Sequence, residues 1–119
     1  ADVVVCSSDF ESYGMVNIEA MASGKPVVST RRGGPAETVV DGETGYLVPV
    51  EQLNVAPFEP VDPDKFSRDL AAAINKLLDN PALCQAMAEA GQARARDLFS
   101  WSSIAEQTKA LYASLLEKR

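Results

Sequence analysis

The sequence predicts an α/β fold built on a short parallel sheet, and three observations lead there. Residues 3–6 form a β-branched run closed by Cys6, the pattern of a strand buried on both faces. Two more short strand-like runs follow at residues 26–30 and 45–49. Loops and apolar, helix-length segments separate the three, and that rhythm is the signature of βαβ units.

Each element has a local reason. Residues 7–13 are largely polar, and Gly14 then precedes an apolar segment ending at Ser23-Gly24. Gly24 suits the end of a helix, and Pro26 stands where a helix cannot continue. "RRGG" at residues 31–34 is a turn, and residues 35–40 read as a short helix with proline in its first turn. Asp41-Gly42 marks a tight turn before the third strand. Residues 50–61 form an extended linker rich in proline and acidic groups. Asp62-Pro63 then starts a helix as N-cap plus first-turn proline, with Phe66, Leu70, Ile74, Leu77 and Leu78 as its apolar stripe. Asn80-Pro81 repeats the signal, with Leu83 and Met87 facing inward. Ser100 caps the last helix, whose stripe is Ile104, Leu111, Leu115 and Leu116. Three strands against about five helices is an unbalanced count for a parallel sheet, so an N-terminal half is expected to lie outside this chain.

Composition narrows the function. The 119 residues are 46% hydrophobic and 24% charged, an ordinary soluble composition sufficient for one domain. Seventeen acidic residues against 11 basic ones give a net charge of -6. That balance disfavours a general nucleic-acid or membrane-surface binder, both of which need clustered Lys and Arg. No apolar run is long enough to span a bilayer, and no secretory leader opens the sequence, so a cytoplasmic location is expected. Cys6 and Cys84 fit no metal or redox spacing and read as reduced thiols. Histidine is absent, which excludes Ser-His and Cys-His nucleophile schemes within the chain.

The chemistry concentrates in "SDFESYGMVNIEAMASGKPVVST", residues 8–30. The first strand points its carboxyl end at the loop carrying Glu11, where open α/β sheets bind ligands. A helix starting near Gly14 offers the free N–H groups of Gly14, Met15 and Val16 to an anion, and Gly14 lets a phosphate approach the backbone. Glu19 lies one turn on from Met15, on the same side, where a carboxylate can accept from a ribose diol. Glu11 precedes the helix and reaches beyond the diphosphate. Ile18, Ala20, Met21 and Ala22 surround Glu19, so the residues predict a buried carboxylate in need of a polar partner. The plainer reading makes Glu11 a solvated loop charge and Glu19 the polar edge of the helix; the residues alone leave the two level.

Glu11 and Glu19, seven residues between them, are followed by "EAMASGKPVVST" and "GGPAETVVDGETGYLV". With "DPDKF…LLDNP" and "FSWSSIAEQTKALY", this resembles the E-x7-E signature of the retaining glycosyltransferases of family 4, across essentially the whole chain. The tail and "FEPVDPDKFSRDLAAAIN" look most like bacterial glycogen synthases of the actinobacterial type. The resemblance implies the GT-B fold: residues 1–119 as the donor-binding part of its Rossmann-like C-terminal domain, incomplete here, with residues 62–119 as a three-helix tail. It implies metal-independent hexosyl transfer from ADP-glucose or UDP-glucose to an α-glucan, with no cofactor besides that donor. Glu11 is then the catalytic residue associated with the donor sugar. Ser12, Tyr13, Gly14, Met15 and Val16 are substrate-binding, their loop amides meeting the diphosphate, and Glu19 contacts the ribose. Ser12 and Tyr13 replace the more usual Pro or Gly and Phe. By the same resemblance the acceptor binds a missing N-terminal domain, and the last helix crosses back toward it. The chain alone is therefore expected to be inactive. Two other readings stand beside this one: a mannosyl- or N-acetylglucosaminyltransferase of the same family, and a non-catalytic half-domain that self-associates through an exposed sheet edge.

Gly33-Gly34 with Glu37 matches the family's glycine pair before a helix, but reads first as a turn with a helix-capping acid. Arg31 and Arg32 read as solvated surface charges. Trp101 reads as a core or docking anchor rather than a sugar platform.

Overall fold

The computed structural model describes residues 1–8, 12–57 and 59–118. Three strands, β1 (Val4–Cys6), β2 (Val27–Thr30) and β3 (Gly45–Val48), form one sheet in the order β1-β2-β3. Both pairings are parallel, with Val4 beside Val27 and Ser29 beside Leu47. All three carboxyl ends therefore lie at one edge of the sheet.

Helix α1 (Met15–Ala22) connects β1 to β2, and α2 (Pro35–Thr38) lies between β2 and β3. Gly24 closes α1 as expected: Lys25 N–H donates to the Ala20 carbonyl and Gly24 N–H to that of Met21, each at 3.0 Å. The tail comprises α3 (Pro63–Leu78), α4 (Pro81–Arg94), a five-residue π-helical segment at Ala95–Phe99, and α5 (Trp101–Glu117). Its start signals act as the sequence predicts. Asp62 accepts from the Lys65 N–H at 3.0 Å, Asn80 from that of Leu83 at 3.1 Å, and Ser100 from that of Ser103 at 3.2 Å. Asn80→Ala is expected to cost about 1 kcal/mol, read as a lower urea midpoint at unchanged slope; an unmoved midpoint would show that the cap contributes nothing.

Strand alternation splits the core in two. On one face Val27 and Leu47 meet Ala20 and Met21 of α1, with Val39 and Ala95. On the other, Val28 and Val48 meet Leu77 of α3 and Met87 of α4, with Phe66, Leu70, Ile74 and Leu83 around them. Leu78, expected in the α3 stripe, is instead exposed. β2, central and covered on both faces, is buried along its whole length.

The last helix is the most exposed element. α5 buries none of its residues, and Leu111, Leu115 and Leu116 face solvent. Trp101 is 83% exposed, so it is no core anchor. The helix meets the rest of the chain chiefly at the π-helical segment, and at 17 residues it is about 25 Å long. The radius of gyration is accordingly 16.4 Å, against about 13.5 Å for a compact chain of this size. Among the described residues no helix is long and apolar enough to cross a membrane.

Candidate functional site

The residues singled out in the sequence gather where α1 begins, at the carboxyl end of β1. Glu11 lies outside the described residues. Ser12 and Tyr13 are exposed on the approach to the helix. Gly14 is the residue before α1 and adopts φ 81°, ψ 49°, a left-handed conformation that other residues reach only at a cost. A β-carbon there would also stand 3.3 Å from Pro35 Cγ, so α2 leaves little room for one. The first N–H groups of α1 have no acceptor within the helix, and no acidic side chain lies in its first turn.

The geometry of α1 corrects the reading of Glu19. Asn17, Ile18, Ala20 and Met21 are the buried residues of the helix. At about 100° per residue, Glu19 falls ~180° from the centre of that arc, at the middle of the open side. It is exposed, and among the described residues its side chain makes no hydrogen bond or ion pair. Burial therefore does not explain it. Of the neighbours that suggested burial, Ile18, Ala20 and Met21 are themselves buried, and Ala22 is exposed. Glu19 instead shares the open side of the helix with Met15, 51% exposed, and Val16, 55% exposed, and Tyr13 is exposed beside them. The result is an open face, apolar at the helix start, with one carboxylate a turn further on.

The buried polar group of α1 is Asn17, which the sequence reading passed over. It is fully enclosed, and its Nδ2 donates to Ser29 Oγ of β2 at 3.1 Å, tying the first turn of the helix to the sheet. Its Oδ1 has no partner among the described residues. The available signal was an amide two residues before Glu19, on the side shared with Ala20 and Met21.

The glycine pair proves to be more than a turn. Gly34 lies so close to the loop that a β-carbon on it would collide with the Tyr13 backbone. Glu37 sits in the first turn of α2, as expected of a capping acid. Arg31 is held by Asp41, Nη2 to Oδ2 at 2.7 Å, while Asp41 Oδ1 accepts from the Leu47 N–H. Arg32 is exposed.

Comparison with known proteins bears on this first half of the chain. The family described as "Glycosyl transferases group 1" matches residues 1–56, the segment that contains the loop, α1 and the glycine pair. Residues 1–56 belong to the glycosyl transferases group 1 family. The similarity runs beyond that group 1 segment. Over 112 residues, 94% of the chain, it is 39% identical to alpha-maltose-1-phosphate synthase of Mycolicibacterium smegmatis, covering 27% of that protein. The glycogen synthase of Mycobacterium tuberculosis is 35% identical over the same share of the chain, covering 24% of its own length. Among solved structures, Anabaena Alr3699/HepE in complex with UDP and glucose superposes with a TM-score of 0.75 at 30% identity, over 96% of this chain and 28% of that one. The chain thus spans about a quarter of the length of the curated relatives it matches. Its three parallel strands and flanking helices are part of a GT-B glycosyltransferase domain, as the sequence predicts. The likeness to glycogen synthases is shared with a maltose-1-phosphate synthase and is not exclusive.

Proposed function

We propose that this chain is the donor-binding part of a retaining glycosyltransferase of family 4, in which an extended nucleotide sugar lies across the start of α1. One observation carries the reading. The open face of the helix combines N–H groups that find no acceptor among the described residues, exposed Tyr13, Met15 and Val16, and Glu19 one turn on. Apolar side chains held in solvent beside a helix N-terminus fit a ligand that covers them, and the N–H groups fit its diphosphate. Glu19, solvated and without a partner among the described residues, accepts hydrogen bonds from the ribose hydroxyls; Glu11 is assigned to the donor sugar, with Ser12 beside it. The leaving diphosphate is stabilised by the loop amides, with no metal or further cofactor. UDP bound to the Anabaena neighbour favours a uridine nucleotide, and the likeness to glycogen synthase favours glucose and an α-glucan acceptor. Mannose and N-acetylglucosamine remain the alternative sugars. The acceptor is assigned to a further domain of the polypeptide, and the location to the cytoplasm, where Cys6 and Cys84 stay free thiols.

Calorimetric titration of the chain with UDP and ADP tests this. Binding of at least one at millimolar concentration is expected, and Glu19→Gln is expected to weaken it about tenfold, since hydrogen bonds to a charged acceptor are lost. No binding of either nucleotide by the wild-type chain would sink the donor-site reading. The competing reading, a non-catalytic module, draws on the exposed edge strand β1, where Val5 is 42% exposed. It requires a chain that binds no nucleotide and sediments as a dimer.

A further inference from the structure

We propose that Arg94, at the end of α4, is a positioning residue for the loop before α1, acting through α2. The inference rests on the donor-site reading above for its effect on ligand binding, while the mechanical link stands on hydrogen bonds and close contacts alone. Arg94 Nε donates to the Thr38 carbonyl at 2.9 Å and Nη2 to the Glu37 carbonyl at 3.0 Å. These are carbonyls of the last turn of α2, where an isolated helix leaves them without partners. The guanidinium also stacks on Phe99, 5.4 Å from the ring centre, which fixes its plane. Two donors in one rigid fork thus grip two successive carbonyls, a geometry that lysine cannot copy.

The other end of α2 touches the loop. Gly34 packs against the backbone of Tyr13, and Pro35 stands over Gly14. α2 has only four residues, far too few to hold a helical shape by itself. It works as a strut, clamped by Arg94 at one end and pressing the Tyr13-Gly14 corner at the other. Asn17 secures the same corner from the sheet side, through Ser29 and through its own N–H, which donates to the Gly14 carbonyl at 3.0 Å. The start of α1 is thereby held from two directions. A residue 80 positions from Gly14 in sequence sets how the diphosphate amides are presented.

Arg94→Gln and Arg94→Lys in the 119-residue chain test the strut by amide hydrogen exchange and UDP titration. Two sets of amides report on it: Asn17, bonded to Gly14, and Glu37, Thr38 and Val39, bonded to Gly34 and Pro35. With Arg94→Gln, both sets are expected to exchange about tenfold faster, with β2 and β3 amides unchanged and UDP affinity about tenfold lower. Arg94→Lys should lie between the wild type and Arg94→Gln on each measure, and it supplies the comparison if the glutamine variant does not fold. Loosening confined to residues 37–39, with Asn17 and UDP affinity unaffected, would overturn the proposal. So would equal acceleration throughout the sheet, which would make Arg94 a general stabiliser of the fold. If the wild type binds neither UDP nor ADP, the donor-site reading fails, and the Asn17 amide still decides the strut.

Discussion

Met21→Ala is expected to destabilise the chain by about 3 kcal/mol, within the range of 2–5 kcal/mol for emptying a buried site of this size. Met21 is fully enclosed between the sheet and the tail, in one cluster with Ala20, Val27, Val39, Leu47 and Ala95. On its far side stands Gly91 of α4, where a β-carbon would come within 3.5 Å of Met21 Cγ. Met21 therefore touches both the sheet and α4 with one side chain. Little can collapse into the space, because Ala20 and Ala95 are too short to fill it. Domains hold about 5–15 kcal/mol in total, so the loss is a large share of stability. Met21→Leu, nearly equal in volume, should cost less than about 1.5 kcal/mol. Urea unfolding of both variants checks this; equal midpoints for Met21→Ala and Met21→Leu would refute the tight enclosure.

Gly34→Ala is expected to damage both the loop and ligand binding. One added carbon would overlap the Tyr13 backbone, so either the loop or α2 must move. Overpacking of this kind costs about 1–3 kcal/mol. Because the displaced atoms lead directly into Gly14 and the first N–H groups of α1, UDP affinity should fall by more than about tenfold. The two effects separate by position: stability drops through strain, and affinity drops because the amides proposed to meet the diphosphate are re-aimed. Unfolding curves and calorimetry on the same preparation read both. A Gly34→Ala chain as stable as the wild type would show that the close approach to Tyr13 is dispensable. Retained UDP affinity with reduced stability would separate the glycine pair from the site.

The legible parts of this fold are those with local causes. Asp62, Asn80 and Ser100 each cap a helix through an N–H three residues on, and a sequence displays that spacing directly. Gly24 ends α1 because only the residues around it set that turn. The three strands were readable because β-branched runs between turn residues have few other uses. The candidate site was readable in outline for the same reason: Gly14, Met15, Val16 and Glu19 are neighbours on one helix end.

What failed to show was orientation. An apolar count around Glu19 suggested burial, yet the sheet covers only one side of α1, and Asn17, Ala20 and Met21 take that side. The apolar stripe on α5 showed that the helix wants a surface without showing which one, and the described residues offer none against it. Arg94 looked like any charged residue near a helix end, since its partners lie 56 and 57 positions away.

The sequence by itself determined the identity and order of the elements, their caps, and which residues lie together in the candidate site at the start of α1, because backbone preference and hydrogen bonding within a few residues decide those. The tertiary structure alone decided that Asn17 faces in and Glu19 out, that Gly34 lies beneath Tyr13, and that Arg94 clamps α2. Those outcomes depend on which distant segments compete for the same buried space, and packing between them, rather than any local preference, resolves that competition.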